Sequence, residues 1–408
     1  MSFRIERPEL RAPIYAWLPE EDIEDKAIEQ LVNAARHPDV GSRVAAMPDT
    51  HVGMGVTIGC VFPTINAVLP NAVGVDIGCG MGALNTQIRL DPEVMGREFW
   101  RNWSGQVQRN VPTGFETHRA PQDLGALDRP LRADNEKLQR VFHEKATTQI
   151  GTLGGGNHFM EAQVDQEGFI WLMVHSGSRH MGLRVASHYN ALAEEITAKR
   201  GIVVPRDLPS LPLDDQIGQD YVHDAQWATD FALENRARMM RVMADEFFRA
   251  ITRLGREDEI TIDPAHLDVI NIHHNFAQVE VVDGIEQVVH RKGATSAYDG
   301  QLGIIPGSMG SKSYIVRGRG NPESLQSCSH GAGRVMSRNR ARKEITAEQF
   351  SASIAGTFSK ASGAYIDEAP AAYKDIDTVI ARQTDLIEIV HELRPLITIK
   401  GDSRAKDD

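Results

Sequence analysis

The run Asp76-Ile77-Gly78-Cys79-Gly80-Met81 sets a carboxylate and a thiol three residues apart, in a glycine-rich turn after an apolar run. Glycine lets backbone approach a ligand closely. Taken alone, a cysteine in such a place is more often a small buried hydrophobe. Histidines in comparable places shift that balance. His158 ends the glycine run 151–156 and Asn157, His175 follows the apolar run 169–174, and His273-His274-Asn275 follows the apolar run 269–272. Imidazole, carboxylate and thiolate are the usual ligands of a transition-metal site. Two ions sharing the thiolate would clamp a phosphoryl group. The softness of thiolate favours zinc over manganese, although none of the compact zinc spacings occurs. The chain has 15 histidines, so any single one is more often structural, and His37, His118 and His391 take that reading.

Two further strings suit phosphate. Pro306-Gly-Ser-Met-Gly-Ser-Lys-Ser313 resembles half a P-loop, but Ser311 stands where the glycine before the lysine belongs, which excludes a true Walker A loop. Its backbone N–H groups and hydroxyls still offer donors to phosphate oxygens; the bland alternative is a plain turn. In Cys328-Ser-His-Gly-Ala-Gly-Arg334-Val-Met-Ser-Arg338, His330 is flanked by small residues and open to something bulky. Arg334 and Arg338, four apart, are expected to share a helical face and grip phosphates bidentately. From Arg334 to Lys343 there are five basic residues and no acidic one. A solvated charged face is the better reading for Arg340 and Arg342.

The elements that must position these groups are short. Alternating β-branched and glycine residues from 53 to 82 predict brief strands and turns. Residues 169–174 predict a buried strand. Residues 279–282, the pair Asp283-Gly284 and residues 285–289 predict a hairpin. An amphipathic helix is expected near 21–35. Met240, Met243, Phe247, Ile251 and Leu254 predict one buried stripe of a long helix, and Thr346 with Gln349 predicts a capping box. Residues 109–132 read as a surface loop. The fold class is a layered α+β arrangement. One catalytic domain is expected over residues 1–408, because the candidate residues are scattered along it, with a helix-rich excursion at 184–256.

Composition narrows the functions. The 408 residues carry 44 Lys and Arg against 56 Asp and Glu, a formal net charge of -12. Indiscriminate clinging to nucleic acid or anionic membrane is therefore excluded, and a polyanion must meet a local basic patch. Three cysteines, Cys60, Cys79 and Cys328, do not build a disulfide scaffold. The opening residues lack the apolar core of a signal peptide, and no apolar stretch is long enough to cross a bilayer. A cytoplasmic protein is expected.

In their order along the chain these strings resemble the RtcB family of RNA-splicing ligases. The likeness includes Met47-Pro-Asp-Thr-His51, Gly74-Val-Asp-Ile-Gly-Cys-Gly80, residues 151–158, His175-Ser-Gly-Ser-Arg179, His273-His-Asn275, Pro306-Gly-Ser-Met309, Ser329-His-Gly-Ala-Gly-Arg334 and Ala372-Tyr-Lys-Asp-Ile-Asp377. The resemblance implies a fold of the family's own, neither Rossmann nor P-loop. It implies joining of RNA 3′-phosphate or 2′,3′-cyclic phosphate ends to 5′-hydroxyl ends, with GTP as co-substrate.

It also implies residue roles. Cys79 would bridge two manganese ions, one completed by His175 and His274, the other by Asp76 and His158, against the zinc that ligand softness favours. His330 would be the nucleophile that forms a covalent histidine–GMP before guanylate passes to the RNA end. Asn157, Ser308, Ser313, Gly331, Ala332, Gly333 and Lys400 would hold GTP, Glu161 would accept from guanine, and Tyr373 would stack on it. Lys292, Arg334 and Arg338 would bind phosphates of RNA or nucleotide. An archease-type activator is a candidate partner, and no membrane is implied. Phe276 stands where many relatives carry Tyr, and Tyr298 where a smaller or basic residue is expected. Two rival readings are a dimetal phosphoesterase acting on cyclic phosphate ends without ligation, for which His330 and Glu161 would be superfluous, and a catalytically silent RNA-binding protein, which the acidic composition disfavours.

Overall fold

A computed structural model of the chain describes residues 1–260 and 267–401. Alternating and continuous apolar runs form two main sheets. The seven-stranded sheet has the order Val269–His273, Gly80–Arg89, Phe169–Ser176, Phe159–Asp165, Ile387–Lys400, Ser313–Gly318 and Leu302–Ile305. Every neighbouring pair in it is antiparallel. The six-stranded sheet runs Phe3–Ile5, Ile14–Ala16, Val44–His51, Ile58–Thr64, Ile285–Lys292 and Asn275–Val282, with one parallel pair, Ile14–Ala16 on Val44–His51. A Rossmann or P-loop fold needs parallel strands joined by crossover helices, so this α+β arrangement is neither. The 306–313 segment links two antiparallel neighbours instead of opening a helix, and Lys312 is spent on Asp377 and Glu392 at 3.6 and 3.3 Å.

One face of the larger sheet packs against the helices Pro92–Asn110 and Gln216–Arg253, where Trp100, Trp103, Met240, Met243 and Phe247 meet Met160, Leu172 and Val174. Each such buried side chain contributes about 1.5–3 kcal/mol. A second apolar cluster joins the two sheets: Ala45, Val61 and Val289 from one, Ile305, Tyr314, Val316 and Ile387 from the other.

Several local expectations hold. The hairpin turns at Asp283 and Gly284, both with positive φ (51° and 81°), as a primed turn requires. Thr346 and Gln349 form a reciprocal capping box. Others are corrected. The early helix begins at Asp25, because Ile23 and Glu24 are extended. Leu254 leaves the buried stripe: the long helix ends at Arg253, Gly255 takes φ 69°, and Leu254 is half exposed. The 109–132 segment is not only surface loop, since Leu124, Leu127 and Leu131 anchor it beside Phe142 and Trp227. Arg334 is not helical. It forms an isolated bridge with Tyr373, and the helix that follows starts at Arg338. Among the described residues no helix is long and apolar enough to cross a membrane.

Candidate active site

The site lies where the two sheets meet, and strand ends deliver its histidines. Cys79 immediately precedes the Gly80–Arg89 strand, whose Met81 pairs with His175. His158 immediately precedes the neighbouring Phe159–Asp165 strand, whose Phe159 also pairs with His175. His274 is the single residue between Val269–His273 of one sheet and Asn275–Val282 of the other. Its N–H donates to the Cys79 carbonyl at 2.8 Å, and its carbonyl accepts from Ala294 at 3.1 Å. This close crossing needs glycine at 80, where a Cβ would fall 2.0 Å from the Ile272 carbonyl oxygen.

The five expected metal ligands converge. Cys79 Sγ is 3.3 Å from His175 Nε2 and 3.5 Å from His158 Nε2. His175 Nε2 is 3.3 Å from His274 Nε2, and His158 Nε2 is 3.1 Å from Asp76 Oδ2. Cys79 thus belongs to two triads, with His175 and His274 and with Asp76 and His158, each having donor atoms within 4.8 Å of one another. Burial, reinforced by neighbouring imidazoles, holds His175 and His274 well below the ordinary histidine range, so both present neutral nitrogens. Burial pushes the Asp76 carboxyl up, but the hydrogen bond and charge of His158, with Arg179, outweigh it and leave Asp76 low and ionised. A shared cysteine sulfur, three imidazoles and one carboxylate are a donor set suited to a pair of divalent transition-metal ions.

Beside this cluster, His330 follows the short Ser327–Ser329 strand, its ring centroid 4.9 Å from that of His274. Its Nδ1 lies 2.6 Å from Oδ2 of the wholly buried Asp49, which also accepts the backbone N–H groups of His330 and Gly331 at 3.1 and 3.3 Å. A Cβ at Gly333 (φ 75°) would fall 2.2 Å from the Asp49 carbonyl, so glycine there lets the His330 segment close on this strand.

Of the nine residues expected to hold the nucleotide, Asn157, Glu161, Ser308, Gly331, Ala332, Gly333, Tyr373 and Lys400 line one cavity with His330. Ser313 does not line it; its hydroxyl sits behind, accepting from Gln163 at 3.1 Å and from Gly307 N–H at 3.3 Å. Glu161 is held by Gln163 and Thr398, each at 2.5 Å. Burial lifts its carboxyl to about 7, although those bonds and the Lys400 charge pull it back.

The basic residues are placed differently from expectation. Arg338 Nη1 donates to Asp367 at 2.8 Å and Glu368 at 2.6 Å, Lys400 donates to Glu368 at 2.9 Å, and Arg334 is 3.5 Å from Glu368. Arg334 also lies over the Tyr373 ring, 4.7 Å from its centroid. Both arginines line the cavity, but as partners of buried carboxylates, not as unpaired cations on one helix. Arg340 pairs with Glu344 on an exposed face as expected, whereas Arg342 reaches the buried Asp367 at 3.2 Å. Lys292 does not line the cavity. Its ammonium donates to the carbonyls of Met54 and Asn71, and burial lowers it to about 8.

Sequence reasoning assigned no role to four supports. Asp49 and Arg179 lie inside strings that carried the family likeness, but strings do not reveal contacts. Arg179 Nη1 stands 3.2 Å from His158 Nδ1, which also contacts the Leu153 carbonyl at 3.0 Å. Arg236 and Asn235 come from the long helix. Arg236, fully buried, donates to the carbonyls of Gly78 and Ser176 at 2.9 Å each, tying the turn before Cys79 to the strand end after His175. Asn235 bonds Gly151, Thr152, Ser176 and Gly177 at 2.7–3.2 Å.

The comparisons agree with this geometry. The sequence model of the family described as "tRNA-splicing ligase RtcB" matches residues 30–401. The chain is 39% identical over 407 residues to the "RNA-splicing ligase RtcB" of Escherichia coli K12, covering 96% of this chain and 98% of that protein. It is 32% identical over 475 residues to the "tRNA-splicing ligase RtcB" of Aeropyrum pernix, covering 97% and 96%. It is also 32% identical over 445 residues to the "RNA-splicing ligase RtcB" of Mycobacterium bovis, covering 91% and 100%. A likeness that runs through both sheets and every strand end of the site is that of a shared protein family, and the chain belongs to the RtcB family.

Proposed function

We propose that this chain is a GTP-dependent RNA ligase that joins a 3′-phosphate or 2′,3′-cyclic phosphate end to a 5′-hydroxyl end, in tRNA splicing or RNA repair in the cytoplasm. The reading takes residues 1–408 as one catalytic unit, with residues 184–256 as its helix-rich excursion. One observation carries it: a cavity-lining histidine, His330, is held at Nδ1 by a buried carboxylate beside a cluster able to bind two metals.

With its Nδ1–H donated to Asp49, His330 keeps its lone pair on Nε2. That nitrogen attacks the α-phosphorus of GTP, a P–N bond forms, and pyrophosphate leaves with the electrons of the broken P–O bond. A covalent histidine–GMP splits one hard displacement into easier ones. Guanylate then passes to an oxygen of the RNA 3′-phosphate as the P–N bond breaks and its electrons return to the imidazole. Finally the 5′-hydroxyl, giving up its proton, displaces GMP, which leaves with the electrons of the broken P–O bond. A cyclic end must first be opened by water.

Other residues hold the nucleotide. Ionised Glu161 accepts N1–H and N2–H of guanine and repels the acceptor that adenine presents at N1. Tyr373 stacks on the base, with Arg334 on the Tyr373 ring adding charge. Asn157, Ser308 and the 331–333 backbone contact sugar and phosphates, Ser313 braces the 306–313 loop, and Lys400 and Arg338 contribute positive charge. Lys292, outside this cavity, is reserved for the RNA. Two manganese ions, held by Asp76, Cys79 and His158 and by Cys79, His175 and His274, would neutralise charge spread over the phosphoryl oxygens.

Incubation with α-labelled GTP and manganese tests the reading. The expected result is an acid-labile, alkali-stable protein adduct, absent from His330→Ala. Release of the cyclic end with no adduct under any divalent metal would make the protein a phosphoesterase instead. An archease-type activator is then tested by its effect on adduct turnover.

A further inference from the structure

Asp49-Thr50-His51 closes the Val44–His51 strand. The strand's register shifts between Ala46 and His51, so contacts and not regular alternation decide where Asp49 and His51 point. Thr50 between them donates to the Gly59 carbonyl at 3.1 Å. Both meet the nucleophile: Asp49 bonds His330, and His51 lines the same cavity as His330. His51 Nδ1 lies 2.9 Å from the Asp49 carbonyl, and a carbonyl only accepts, so the proton sits on Nδ1 and the lone pair on Nε2. Burial, with the nearby His330 adding to it, lowers the ring to about 4, so it is uncharged at neutral pH. None of the roles argued above uses this imidazole.

The ligase chemistry of the preceding section, on which this inference rests, has an unequal demand for bases. Attack of His330 on GTP uses a nitrogen lone pair, and attack of the RNA 3′-phosphate uses an ionised oxygen. Neither nucleophile has a proton to lose. Opening of a cyclic end by water and sealing by the 5′-hydroxyl both start from a neutral O–H group. Those two steps need a proton acceptor, and the first two do not.

We propose that His51 is that acceptor, the general base for the hydroxyl-attack steps. As the 5′-oxygen forms its bond to the RNA phosphorus, its proton passes to His51 Nε2. The P–O bond to GMP breaks, and GMP leaves with the electron pair. In the opening step, the water oxygen bonds to phosphorus and its proton passes to the same nitrogen. The P–O2′ bond breaks with its electrons kept by the 2′-oxygen, which takes a proton from solvent.

The full-length chain with manganese and GTP, its His51→Gln and His51→Ala variants, and three separate assays provide the test. Gln keeps the size and an acceptor but cannot take up a proton. Adduct formation at His330 and transfer of guanylate to a 3′-phosphate RNA should stay within about twofold of the parent, which also reports folding. Sealing of pre-activated RNA should fall about 100-fold or more, with activated RNA accumulating and cyclic ends opening correspondingly slowly. Added imidazole should partly restore sealing in His51→Ala. Unchanged sealing in both variants, an equal loss in all three assays, or no rescue would overturn the assignment while leaving the ligase reading intact. A parent chain that forms no adduct at His330 would remove the ligase reading, and this assignment with it.

Discussion

Asp49 and His330, 281 residues apart in sequence, share a hydrogen bond of 2.6 Å, and the same carboxylate oxygen takes the backbone N–H groups of His330 and Gly331. Carboxylate, ring and loop are thereby set as one unit. In Asp49→Asn an amide group can face Nδ1 and stabilise the wrong tautomer. Adduct formation at His330 should fall about 10²–10⁴-fold while metal content stays at the parent value, as measured by labelled-GTP trapping and elemental analysis.

Cys79 is common to both ligand triads, whereas His175 and His274 belong to one and Asp76 and His158 to the other. Cys79→Ala should therefore lose both ions, and His274→Ala only one. Elemental analysis after desalting reads this directly. Chelation should abolish adduct formation, and manganese, not zinc, should restore it; restoration by zinc alone would favour the softness argument over the family likeness.

In the proposed role Glu161 must be ionised to accept two hydrogen bonds from guanine, and burial puts its carboxyl near 7. The sign follows: at a pH below about 7 the site is protonated and GTP binding weakens, approaching tenfold per unit, while above 7 it levels off. Binding isotherms from pH 5.5 to 8.5 should show this bend. Glu161→Gln should bind more weakly and show none.

Asn235 satisfies backbone groups of Gly151, Thr152 and Gly177 together with the Ser176 hydroxyl, all buried. Truncation to Ala leaves several of these without partners. Chemical denaturation should show a loss of about 3 kcal/mol. Metal affinity should fall with it, because these residues lead into His158 and His175.

Two departures from the family pattern also acquire a place. Phe276 and Tyr298 flank the buried Arg291, whose guanidinium carbon is 5.2 Å from one ring centroid and 5.8 Å from the other. Arg291 pairs with Glu280 and donates to Ser327 at 2.9 Å, binding the hairpin to the strand that leads into His330. The departures therefore concern how this support is packed, not the candidate metal ligands or His330.

The amino-acid sequence on its own determined the chemistry-bearing strings, the hairpin and its turn, the buried stripe through Ile251 and the capping box. Each depends on residues within a few positions of one another, so local backbone preference and periodicity suffice. It also showed that candidate histidines follow apolar runs, which placed His175 and His274 at strand ends. Tertiary structure alone decided that Arg334 forms a bridge with Tyr373 rather than a helical turn. It alone set Arg338 and Lys400 against Glu368, turned Lys292 away from the cavity, and gave Asp49, Arg236 and Asn235 their roles. Those outcomes are contacts between strands and helices far apart in the chain, and a charged side chain carries no mark of which distant partner burial will bring to it.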